Sequence, residues 1–211
     1  MLDDRATLPV CVIDIGAPRN SRGQSSFGWA ISSAQQIASG SDIDACARTL
    51  DEALSHSSVS LGIEAPLTLP LRNVAGTLTK ARSADGAFRG QPARSWSAGA
   101  GPTVAIIALP ILHYMLTRLP HLRRIVLDET VQQVSGDLLV WEAFVTSISK
   151  GQDHADDASL ALRAFQTGSA HRFDETEDCL NTVAIVASRC GIETVPSGEA
   201  ALAFHIPIYR L

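Results

Sequence analysis

The chain has 211 residues, 45% of them hydrophobic and 18% charged, with a formal net charge of −5. That length buries a sizeable core without staples and fits one domain spanning the whole chain, with room for an elaborated insertion. The negative balance excludes a surface that is basic throughout, the footprint of a nucleic-acid glove, but not a local basic patch.

In chain order, the first element is Val10 to Gly16, VCVIDIG, whose β-branched run predicts a central strand covered on both faces. It ends on Asp14 just before a glycine turn, and a buried strand does not carry a charge there without a use for it. After a polar turn, Phe27 to Ser33 alternates well enough for a second strand, which the short link makes an antiparallel hairpin with the first. A weaker third strand is expected over Ala34 to Ala38. A helix follows from Ser41 to His56, with Ile43, Ala47, Leu50 and Leu54 on one face and Ser41 or Asp42 as N-cap. Val59 to Ala65, VSLGIEA, is another apolar strand that delivers an acid, Glu64, and is closed by Pro66. A strand–helix–strand crossover would set Glu64 beside Asp14 at the carboxyl edge of the sheet, where open α/β sheets bind ligands.

From residue 68 to 101 periodicity is lost, and Arg72, Lys80, Arg82, Arg89 and Arg94 face a single acid, Asp85. A connection of this length reads either as a solvated loop or as a lid that grips phosphates. Pro102 suits the first helical position of an apolar helix reaching to about Leu119, kinked at Pro110. Strands are expected at Arg124 to Leu127 and Leu138 to Phe144, the second carrying a lone acid, Glu142. A helix from Asp153 to Gln166 has acids in its first turn, where the helix dipole favours them. Another is expected from Glu175 to Cys190, stopped by Gly191, and the tail from Ala203 to Tyr209 reads as an edge strand because of Pro207.

Cys11, Cys46, Cys179 and Cys190 form no C-x-x-C pair and sit in apolar patterns, so they read as reduced core thiols and not as a structural zinc site. The start, MLDDR, is acidic with no apolar run behind it, and Pro102 to Leu116 is too short to span a bilayer. A soluble cytoplasmic protein without a membrane partner is expected. Trp29 and Trp141 read as core, whereas Trp96 lies in the basic loop and could stack on a base.

Three apolar elements thus end or begin at an acid. On the Asp153 helix, His154 and Asp157 lie three apart and Asp153 and Asp157 four apart, so they share one face, while Asp156 turns away. A lone Asp before Gly is commonly just a turn residue, and Asp153 and Asp156 have capping or dipole roles open to them. Taken together, Asp14, Glu64 and Asp157, with His154 or Asp153, would suit Mg2+ or Mn2+, two of which about 4 Å apart can activate water and stabilise a leaving oxygen.

The order of these motifs (VIDIG, a hairpin, a helix, GIEAPL, a long Arg-containing loop, WEAF, then HADDA) resembles the ribonuclease H-like superfamily, over roughly residues 9 to 166. More narrowly it resembles an uncharacterised, DUF429-like group of predicted RNase H-like nucleases. The resemblance implies an α/β fold with a mixed five-stranded sheet, its first three strands antiparallel, and helices on both faces, to which the rest of the chain is expected to add a C-terminal helix and an edge strand. It implies metal ligands at Asp14, Glu64 and Asp157, with His154 as an auxiliary catalytic residue and Glu142 as a further candidate acid, beside Asp153 from the helix-face spacing. Glu64 stands where the group more usually has Asp.

The function expected is Mg2+- or Mn2+-dependent phosphodiester hydrolysis of nucleic acid, with Arg72, Lys80, Arg82, Arg89 and Arg94 gripping phosphates. The alternative is a non-catalytic scaffold or partner-binding module that keeps the fold. A third class, ATP-binding proteins of the actin and sugar-kinase type, also starts from a strand-Asp-x-Gly turn, but a second such strand and a Gly-rich adenosine motif are missing from the sequence.

Overall fold

The computed structural model describes residues 8–16, 25–33, 36–78, 80–86, 100–144, 151–175 and 177–210. Its elements in order are β1 (Val10–Asp14), β2 (Gly28–Ser33), β3 (Gln36–Gly40), α1 (Ile43–His56), β4 (Val59–Glu64), β5 (Thr68–Pro70), α2 (Ala100–Leu116), β6 (Arg124–Val126) and β7 (Asp137–Phe144). Then come α3 (His154–Gln166), β8 (His171–Phe173), β9 (Cys179–Asn181), α4 (Thr182–Cys190), β10 (Glu193–Val195), α5 (Glu199–Leu202) and β11 (Ile208–Arg210).

β1 is central, as its unbroken apolar run demands: all five residues are buried, with β2 antiparallel on one side and β4 parallel on the other. The sheet runs β10-β6-β7-β4-β1-β2-β3, antiparallel through β3-β2-β1 and parallel from β1 to β10. With helices against it, this mixed order is a ribonuclease H-like architecture. The third strand lies slightly later than expected, at Gln36–Gly40.

The sheet is wider than five strands because the last third of the chain adds to it. β6 pairs with the first half of β7, and β11 runs parallel to its second half, with Ile208 opposite Glu142, while β8 closes antiparallel on β11. The expectation that Pro207 confines the tail to an edge is corrected: β11 lies between β7 and β8. Proline is tolerated because it sits just before the strand and acts as an acceptor, its carbonyl taking the Glu142 N–H at 2.9 Å.

Two faces follow from the pairing, since cross-strand partners point the same way and successive residues alternate. Val12, Gly62 and Trp141 form one row, and Asp14 and Glu64 form the next row on that same face. Ile13, Ile63 and Glu142 form a row on the opposite face. α3 packs on the first face, across β1, β2 and β3. There Phe165 stacks on Trp141 with ring centres 4.2 Å apart, and the Trp141 indole N–H donates to Ser60 Oγ at 3.0 Å. Gly62 makes room for that ring, because a Cβ there would lie 2.4 Å from it.

One helix is shorter than its sequence suggested. α4 starts at Thr182, not at Glu175, because Asn181 caps it by accepting the Ala184 N–H at 3.0 Å and the residues before Asn181 form β9, paired with β5. Gly191 ends it in the left-handed region, φ 70°, as expected of a glycine stop. Among the described residues no helix is long and apolar enough to cross a membrane.

Candidate metal centre

β1 and β4 run in parallel register with Asp14 opposite Glu64, so two strands of similar sequence deliver two acids side by side at the carboxyl edge. Asp14 is buried and Glu64 half-buried, side by side at the ends of their strands.

The third acid arrives on α3. Asp153 caps this helix by accepting the Asp156 N–H at 2.9 Å, which sets the first turn so that His154 and Asp157 share one face. Asp153 therefore serves the helix end. Asp156 is exposed and accepts the Gln152 N–H at 3.2 Å, away from the site. Asp157 is buried and accepts the Gly151 N–H at 2.6 Å. His154 Nδ1 lies 2.5 Å from Asp14 Oδ2. One donor atom from each of Asp14, His154 and Asp157 falls within 4.8 Å of the others. Glu64 stands at the flank of this trio, beside Asp14.

Burial pushes the Asp14 carboxyl above the ordinary carboxylate range, against the hydrogen bond and charge of His154 and the Glu64 hydrogen bond, while the Asp157 charge pushes it further up. A crowded, desolvated carboxylate pair of this kind is relieved by a proton or by a cation. Two carboxylates with an imidazole beside them fit a small divalent ion, the oxygens suiting Mg2+ and Mn2+. A carboxyl whose folded pKa is raised stabilises the fold below its unfolded value and loses that contribution as pH rises through the folded value. In the presence of chelator, the thermal midpoint of the wild type relative to Asp14→Asn should therefore fall as pH climbs from acid towards neutral. A relative midpoint that rises instead would contradict the desolvation of Asp14.

The other candidates lie elsewhere. Glu142, fully buried, is on the opposite face and accepts the Leu67 and Thr68 N–H groups at 2.7 and 3.2 Å. Arg82 donates to both its oxygens at 2.8 Å, to Thr68 Oγ1 at 2.9 Å, and to Asp85 at 2.8 and 3.0 Å. Glu142 is thus a structural acid, and the expectation that Arg82 grips phosphate is corrected: 1% exposed, it ties the loop to β7. Arg72 is turned inward as well, donating to the carbonyls of Thr77, Lys80 and Ala81 and to Glu177. Both arginines have enough acceptors nearby to repay their desolvation. Lys80 is exposed, while Arg89, Arg94 and Trp96 lie outside the described residues.

Sequence reasoning missed Gly28 and Gly151. Gly28 lies opposite Asp14 in the β1–β2 pairing, and a Cβ there would fall 2.1 Å from the His154 carbonyl carbon. A glycine inside a strand marks close approach of another backbone, and that signal was present in FGWAISS.

No family model, curated protein or solved structure matches the chain. Its likeness to ribonuclease H-like proteins rests on strand order.

Proposed function

We propose that this protein is a cytoplasmic Mn2+- or Mg2+-dependent phosphodiesterase acting on nucleic acid, akin to the DUF429-like group of predicted nucleases. The observation that carries this reading is the convergence of Asp14, His154 and Asp157 within 4.8 Å at the carboxyl edge of a ribonuclease H-like sheet. Asp14 and Asp157 would hold the cation, with Glu64 beside Asp14 contributing charge from the neighbouring strand, and a divalent ion there would supply activation of water and stabilisation of the leaving oxygen. His154, its side chain 40% exposed, holds Asp14 through Nδ1 and has the solvent access a proton carrier needs.

A second reading, a scaffold that keeps the fold without the chemistry, is favoured by one observation. Arg72 and Arg82, expected to meet phosphate, are engaged inside the protein, so the described part of the loop offers Lys80 as its solvent-facing cation. The deciding experiment is incubation of the purified protein with Mn2+ and single-stranded, duplex and branched DNA and RNA. Cleavage that chelator abolishes and that Asp156→Asn retains is the expected result. No cleavage of any of these substrates moves the scaffold reading to first place.

A further inference from the structure

Gly28 lies opposite Asp14 in the β1–β2 pairing, directly beneath the first turn of α3. An added Cβ would sit 2.1 and 2.2 Å from the His154 carbonyl carbon and oxygen and 2.5 Å from the Ala155 nitrogen. All three are backbone atoms, so no side chain can rotate away and the helix itself would have to lift. That turn carries both His154 and Asp157, whereas Asp14 stays with the sheet. The separation of the trio is therefore a separation between two bodies, a helix end and a strand end, and the thickness of residue 28 sets it.

We infer that Gly28 is a positioning residue of the metal centre: its missing side chain is the seat that brings the first turn of α3 down onto Asp14. The inference rests on the metal-centre reading and adds to it a residue with no chemistry of its own. A shared boundary in both bodies supports it. On the helix side, Gly151 N–H holds Asp157 and the Asp153 cap fixes the turn, so the turn moves as a unit. On the strand side, β1 is paired on both edges and cannot follow a rising helix.

Gly62 provides the control, being a second glycine on the same face that a Cβ would crowd, at 2.4 Å from the Trp141 ring, but beneath the core and not beneath the site. Mn2+ affinity is read by electron paramagnetic resonance of the free ion, and the His154 ring resonances are read by NMR in chelator. Gly28→Ala should weaken Mn2+ binding by about tenfold or more, the scale seen when a group that orients metal ligands is lost. It should also shift the His154 ring signals away from those of the hydrogen-bonded imidazole. Gly62→Ala should lower the thermal midpoint yet keep Mn2+ affinity and the ring signals.

Wild-type Mn2+ affinity in folded Gly28→Ala, or equal weakening in Gly62→Ala, overturns the proposal. Should Gly28→Ala not fold, Asp153→Ala frays the same turn from the helix side, and unchanged Mn2+ affinity in it overturns the proposal as well. A wild type that binds no Mn2+ removes the metal reading, and the His154 signals of Gly28→Ala in chelator then decide the seat alone.

Discussion

Asp157→Asn is expected to lower Mn2+-dependent hydrolysis by roughly three orders of magnitude, the scale lost when a charged group that stabilises the transition state is removed, while the fold stays intact. The physical case is that asparagine keeps the volume of the side chain and can keep its acceptor for the Gly151 N–H, so the first turn of α3 is still held. What is lost is the negative charge that a divalent ion requires. The metal-free thermal midpoint should stay or rise, since one of several crowded carboxylates is gone. Asp156→Asn is the matched control one position away: it is exposed and off the shared face, and it should be nearly silent in rate. If Asp156→Asn is the damaging change, the site has been placed on the wrong side of the helix.

The second large effect is on stability. Arg82→Met should cost about 3–5 kcal/mol, the range for removing one partner of a buried ion pair, because it strands Glu142 and Asp85 in the interior. At about 2–4 °C per kcal/mol for a chain of this size, the thermal midpoint should drop by roughly 6–20 °C. Burial alone would lower the Arg82 pKa, but Glu142 and Asp85 hold it above its ordinary value, so the arginine charge in the wild type is permanent. Arg82→Lys should fall between, since a lysine keeps the charge but not the forked geometry that serves two carboxylates at once. Differential scanning calorimetry reads both variants. A midpoint unchanged in Arg82→Met would mean that the loop is not tied to β7 through this residue.

Much of the site was legible because it is built from local patterns. Asp14 and Glu64 each end an apolar strand, and the i, i+3 spacing of His154 and Asp157 is a helix-face statement that needs no tertiary knowledge. The caps of α1 and α3 were readable for the same reason, Asp42 accepting the Ala45 N–H and Asp153 that of Asp156. The role of Arg82 was not legible, because Glu142 lies 60 residues away and nothing in a run of loop residues tells a buried arginine from a solvated one. β8, β9 and β10 span three residues each, too short for alternation to register, and they exist through pairing with distant partners, whereas the equally short β11 lay in the tail that read as a strand. The helix expected from Glu175 starts only at Thr182, and Glu175 instead accepts from Ser83 and Ala84, again across a long separation.

The two-sided sheet also says how this protein could change over generations. Three of its strand acids are sorted by parity: Asp14 and Glu64, in phase, stand at the carboxyl edge on the α3 face, while Glu142, one step out of phase, belongs to the interior with Arg82 and Asp85. A descendant that abandoned chemistry could drift freely at positions 14 and 157, whereas losing 82, 85 or 142 one at a time would each cost it several kcal/mol of stability, on the order of 3–5 for Arg82. The two sets would then diverge at different speeds, so a handful of distant sequences with an intact interior set and a scrambled edge set would mark the lineages that had become scaffolds.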